Sequence, residues 1–131
     1  PTHAFAASIV RGRMHAELVA ESDDAARIEA LVAARLPELE RRWGHRIADP
    51  RARGFAFAFE VRSPAELDAY LGQRFFRGAI AFAAGDRTVR YRLNASMGER
   101  EIDAIFEAVH RSLAWLEAHP HKKPPEWEDP G

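Results

Sequence analysis

Two arginines spaced two residues apart, Arg90 and Arg92 in Thr88-Val89-Arg90-Tyr91-Arg92, are the side chains of this sequence best placed for recognition chemistry. Alternate residues of a strand share a face, so both guanidinium groups project together. Arginine grips a planar carboxylate through paired donors. The same pair also suits plain solvation, because antiparallel sheets commonly have one wet side.

Other reactive side chains lack a pattern. Six histidines, with His119-Pro120-His121 the tightest pair, raise a metal hypothesis, yet the spacing is unspecific and no carboxylate is set to orient the rings. No metal ligand is assigned. His110, between Val109 and Arg111, reads as a solvated helical residue rather than a general base. Ser8, Ser22, Ser63, Ser96 and Ser112 carry no nucleophile signature, and Ser63 and Ser96 read as helix caps. There is no glycine-rich phosphate loop and no dinucleotide fingerprint. The only lysines, Lys122 and Lys123, lie in the tail, which leaves a covalent aldehyde cofactor without a buried amine. These residues alone encode no complete active site, so no catalytic or cofactor-binding residue is assigned.

The arginines need a strand to carry them. Gly85-Asp86 is expected to form a two-residue hairpin loop, with Gly supplying the positive φ, between strands Ala79 to Ala84 and Arg87 to Leu93. That register sets Phe82 opposite Val89 and Ile80 opposite Tyr91 on a bulky face. It sets Ala81 opposite Arg90 and Ala79 opposite Arg92 on a small, cationic one. Gly54 to Arg62 alternates Phe and Val with Ala, Glu and Arg, so it forms a third strand pairing with the hairpin. Residues His45 to Arg53 read as a loop, with a turn at Asp49-Pro50.

Helices complete the layer. Ile9 to Ala20 reads as a short helix weakened by Gly12. Ser22-Asp23-Asp24 starts a second helix, whose apolar stripe runs from Ile28 to Trp43 and is interrupted at Pro37. Ser63-Pro64-Ala65-Glu66 is a capping box that opens a third, and Ser96-Met97-Gly98-Glu99 one that opens a fourth, running to about His119. The fold class is therefore α+β, a small antiparallel or mixed three-stranded sheet with helices packed on one face. Residues 1–119 read as a single domain and 120–131 as a Pro-rich tail or linker.

Composition narrows the partners. The chain has 131 residues, 47% hydrophobic, with a formal net charge of −1 and no cysteine. Arginines interleave with carboxylates along the helices, so no stripe for nucleic acid emerges. No apolar run approaches a membrane span or a leader, and a cytoplasmic location is expected.

Three ordered blocks carry a family resemblance. Arg51-Ala52-Arg53-Gly54-Phe55-Ala56-Phe57-Ala58-Phe59-Glu60 looks like an Arg-Gly-x-Gly-Leu strand entry, with Ala52 replacing the first glycine. Arg77-Gly78-Ala79, Gly85-Asp86 and Thr88-Val89-Arg90-Tyr91 look like an Arg-Gly segment followed by a Val-Arg-Phe strand. Ser96 to Ile105, with Glu101-Ile102-Asp103, looks like a domain-closing helix start. From about Ile9 to Leu116 the chain thus resembles the carboxy-terminal small domain of class III pyridoxal-phosphate aminotransferases, the ornithine, acetylornithine and lysine ε-aminotransferase group.

The resemblance implies that Arg90 binds the substrate's carboxylate and that Arg92 assists or pairs with a carboxylate of the large domain. It also implies a pyridoxal-phosphate large domain in the same or a neighbouring chain, a small amino acid or 2-oxo acid as substrate, and a homodimer. This chain alone would bind no pyridoxal phosphate and would not transaminate. Leu93-Asn94 stand where the family usually has prolines, which bears on substrate choice. The residues equally admit a self-standing module binding a small carboxylate or a protein partner, or a purely structural interaction domain.

Overall fold

The computed structural model describes residues 23–73 and 79–120. The helix expected over Ile9 to Ala20, the Ser22 cap, Phe75 and the Pro-rich tail beyond Pro120 lie outside them. A first helix, α1, covers 23–33 and a two-residue turn follows. Helix α2 (Leu36–Trp43) then starts afresh with Pro37 in its first turn. Proline has no amide hydrogen to donate, and a first turn is where none is needed.

Four strands form one antiparallel sheet: β1 (Ala48–Arg53), β2 (Ala56–Glu60), β3 (Ile80–Ala83) and β4 (Thr88–Arg92), in the order β1-β2-β4-β3. Helix α3 (Pro64–Gly72) lies between β2 and β3, and α4 (Glu99–Ala118) follows β4. The α+β class stands, but the expected sheet of three strands has four. The segment read as a loop around Asp49-Pro50 is an edge strand instead. Pro50 is tolerated because an edge strand needs donors on one side only, and the register shifts between Ala48 and Arg51, with Asp49 at φ 53°.

A hairpin with a two-residue loop and glycine first does occur, at Gly54-Phe55. Arg53 pairs with Ala56 across it, and Gly54 has φ 58°. The Gly85 reversal is one residue longer. Ala84 donates to the carbonyl of Thr88 at 3.0 Å, Gly85 has φ 94°, and Phe82 pairs with Arg90, Ile80 with Arg92 and Ala81 with Tyr91. A slip of one residue turns every side chain of a strand to the other face. The expected pairing of Phe82 with Val89 and Ile80 with Tyr91 is therefore corrected: Ile80 and Phe82 share the arginine face, exposed by 62% and 38%, while Ala79 is buried.

The core lies on the other face. Phe57 and Phe59 of β2 and Val89 and Tyr91 of β4 are buried there. The ring of Phe57 stacks between Tyr91 and Phe106 of α4, at 4.6 and 4.9 Å, and Phe59 meets Tyr70 of α3 edge-on at 5.6 Å. The Tyr70 and Tyr91 hydroxyls lie 2.5 Å apart. Burial pushes both phenols above their ordinary pKa.

Polar clamps hold the layers. Arg27 donates to the carbonyls of Ala95 and Met97, each at 2.7 Å, and Arg35 donates to Asp103 at 2.7 Å. The Gly54 amide donates to Glu29 at 2.7 Å, fixing α1 over the first hairpin. Ser63 caps α3 as expected, accepting from the Glu66 amide at 3.2 Å. The cap of α4 is not Ser96 but Gly98, whose amide donates to Glu101 at 2.8 Å. Asn94 diverts Ser96, since its side-chain oxygen accepts from the Ser96 amide and hydroxyl at 3.0 and 2.6 Å, the local competition such residues offer.

Candidate functional site

The face of the sheet turned away from the core is built in rows. Register places Arg53, Ala56, Arg92 and Ile80 across the four strands, and beside them Arg51, Ala58, Arg90 and Phe82. Adjacent strands lie about 4.8 Å apart and alternate residues of one strand about 7 Å, so Arg53 and Arg92 straddle Ala56 at about 10 Å between backbones. The alanines leave a floor without side chains between cationic posts. Arg53, Phe55, Ala56, Phe82, Arg90 and Arg92 line a shallow cleft of about 280 Å³ there.

Among the described residues, charge in this cleft is uncompensated. Arg51 is engaged by Asp49 at 3.0 Å and lies 3.9 Å from Glu60. Among the described residues, Arg53, Arg90 and Arg92 have neither an ion pair nor a hydrogen bond from their side chains. Both arginines singled out in the sequence are thus exposed on one face and border one cleft. Their neighbours differ from expectation: Ile80 and Phe82 stand where Ala79 and Ala81 were expected. Arg53, with Phe55, joins them although the sequence reading gave it no role. The period-two pattern Arg51-Ala52-Arg53 is the signal that marks it.

A second depression, about 270 Å³, lies on the helical side, lined by Arg35, Glu38, Asp103, Phe106, Glu107 and His110. It is ill suited to acid–base work. The Nδ1 atom of His110 accepts from the Trp43 indole at 2.9 Å, so the neutral ring has its acceptor occupied and its other nitrogen protonated. Burial, then Arg42, pushes the His110 pKa down. His110 is accordingly half-buried and hydrogen-bonded, where a solvated residue was expected. Glu38, held by Arg41, lies below its ordinary value and is no proton donor. Among the described residues no group of three or more His, Asp or Glu is arranged to hold a metal ion, and no helix is long and apolar enough to cross a membrane.

No family model matches the chain. It is 38% identical over 80 residues to L-lysine-epsilon aminotransferase of Mycobacterium tuberculosis, a match covering 61% of this chain and 18% of that protein. Lysine aminotransferase from M. tuberculosis superposes with a TM-score of 0.67 at 32% identity, over 76% of this chain and 23% of that one. A PLP-bound aminotransferase from Vibrio fluvialis shares the fold at 18% identity, with a TM-score of 0.62 over 75% and 24%. The chain therefore spans about a fifth of the length of the relatives it matches. Over that part it is homologous to lysine ε-aminotransferase, and it has the fold of a domain of the pyridoxal-phosphate aminotransferases.

Proposed function

We propose that this chain acts as the small, carboxy-terminal domain of a class III pyridoxal-phosphate aminotransferase and supplies the arginine that anchors the substrate's carboxylate. The observation that carries this reading is the uncompensated pair Arg90 and Arg92 on an alanine-floored sheet face, in a chain homologous to lysine ε-aminotransferase. Arg90 takes the carboxylate through two parallel donors, and Arg92 steadies it or pairs with an acid of the large domain. Phe55 and Phe82 strip water from one side of the ion pair, which strengthens it.

Pyridoxal phosphate, when bound, supplies the electron sink for amino transfer. The described residues hold no lysine to receive its aldehyde, so they do not fit the cofactor. The large domain, in the same or a neighbouring chain, holds it. The substrate is a small amino acid or 2-oxo acid, the intact enzyme is a homodimer, and its place is the cytoplasm.

Titrating the chain with pyruvate, while following the backbone amides of Arg90 and Arg92 by NMR, tests the anchor. Removing a hydrogen-bonded charge partner costs about 1.5–3 kcal/mol, so Arg90→Ala weakens binding about 10- to 150-fold. Pyruvate binding that survives Arg90→Ala unchanged refutes the assignment.

A further inference from the structure

Two clefts border the described residues, and their charges are opposite. The helical one is ringed by Glu38, Asp103 and Glu107, with Arg35 already bonded to Asp103. Among the described residues, the sheet cleft has only arginines as its charged groups, with Phe55 and Phe82 as apolar walls. One segment of the sequence has the complementary chemistry, Glu126-Trp127-Glu128-Asp129, three carboxylates around an indole. We propose that this segment docks on the sheet cleft, placing its carboxylates on Arg53, Arg90 and Arg92 and its indole against Phe82 and Ile80. There it competes with a carboxylate ligand for the arginines. The inference rests on the reading of that face as a carboxylate site.

Reach and charge support this occupant. His45 meets Glu117 at 2.7 Å, so α4 ends beside the corner that leads into β1 at Ala48. Arg53 lies at the far end of β1, about 17 Å along an edge strand, and passing around that edge adds about one layer of 10 Å. The straight path is about 20 Å to Arg53 or to Phe82 and about 24 Å to Ile80, since β3 lies three strands across from β1, and the seven peptide steps from Pro120 to Trp127 span up to about 25 Å. The helical cleft offers the acidic segment no free arginine among its lining residues, since Arg35 is bonded to Asp103. A guanidinium over an indole adds cation–π attraction, and a tether that matches the span keeps the effective concentration in the millimolar range, roughly.

The full chain lacks cysteine, so Pro130→Cys carries a single nitroxide label and leaves the acidic residues intact. Expected is selective loss of NMR intensity at the amides of Ala56, Phe82, Arg90 and Arg92, with Glu107 and Arg111 unaffected. It should be reversed at about 1 M salt, where the Debye length is about 3 Å, and by Glu126→Lys, Glu128→Lys and Asp129→Lys together. Broadening on the helical side, or none specific to the sheet face, overturns the docking. The same charge-reversed chain should bind pyruvate about tenfold more tightly. Equal pyruvate affinity without selective broadening sinks the docking and leaves the anchor standing. Selective broadening with no pyruvate binding in the charge-reversed chain sinks the anchor and leaves the docking.

Discussion

The register of β3 against β4 decides which side chains the arginine face contains, and a pair of substitutions reads it out with opposite signs. Ile80 is 62% exposed beside Arg92, whereas Ala81 is partly buried, packs against the core cluster and pairs with Tyr91. Burying an isoleucine completely is worth about 1.5–3 kcal/mol. With little more than a third of that area covered, Ile80→Thr should cost below about 1 kcal/mol, and threonine suits a strand. Ala81→Asp turns a carboxylate toward the buried rings and should cost about 3 kcal/mol or more. In the register with a two-residue loop the order inverts, since Ile80 would face the core and an aspartate at 81 would stand beside Arg90. Urea unfolding followed by far-ultraviolet circular dichroism measures both, and each kcal/mol corresponds to about 3–5 °C in melting temperature for a chain of this size. An Ile80→Thr variant that loses about 2 kcal/mol, paired with a stable Ala81→Asp, would refute the face described above.

Two titrations follow from the core. His110 titrates below its ordinary 6.5 because burial and Arg42 disfavour the imidazolium. The unfolded chain then binds more protons across that window, so His110's contribution is fully present above about pH 6.5 and is lost as pH falls through its lowered folded value. Histidine NMR titration checks this, and Trp43→Phe, which removes the indole donor, should move the value upward; an unshifted His110 would count against the bond. Tyr70 and Tyr91 are the chain's two tyrosines, and both phenols are raised by burial. Their stabilisation is complete below about pH 10 and declines above it. Phenolate absorbance should appear only as the fold is lost in base, and a phenol ionising near its ordinary value while circular dichroism stays native would contradict the buried pair.

Much of the layer is legible along the chain because it is local. The cap at Ser63 with Pro64, the break before Pro37, the alternation of Phe57 and Phe59, and the long stripe of α4 each declare themselves within a few residues. The strand at Ala48 to Arg53 does not. Its Pro50 and its arginines signal a loop, and only pairing with β2 makes it an edge. Similarly, Gly85 announces a reversal, but a glycine supplies positive φ in loops of two or three residues alike. One residue of loop length moved Ile80 and Phe82 to the other side of the sheet. Arg53 stayed hidden for a related reason, since its row partners are 39 positions away at Arg92 and known only through two registers.

By itself the amino-acid order determined the α+β layering, the strand bearing Arg90 and Arg92, and the blocks shared with aminotransferases, because periodicity and caps act over a single element. Which side chains stand beside those arginines, and whether His110 meets water or Trp43, was settled only in three dimensions. Register and packing depend on contacts between residues far apart in the chain, and a shift of one position there costs local pattern nothing while it exchanges the two faces of a strand.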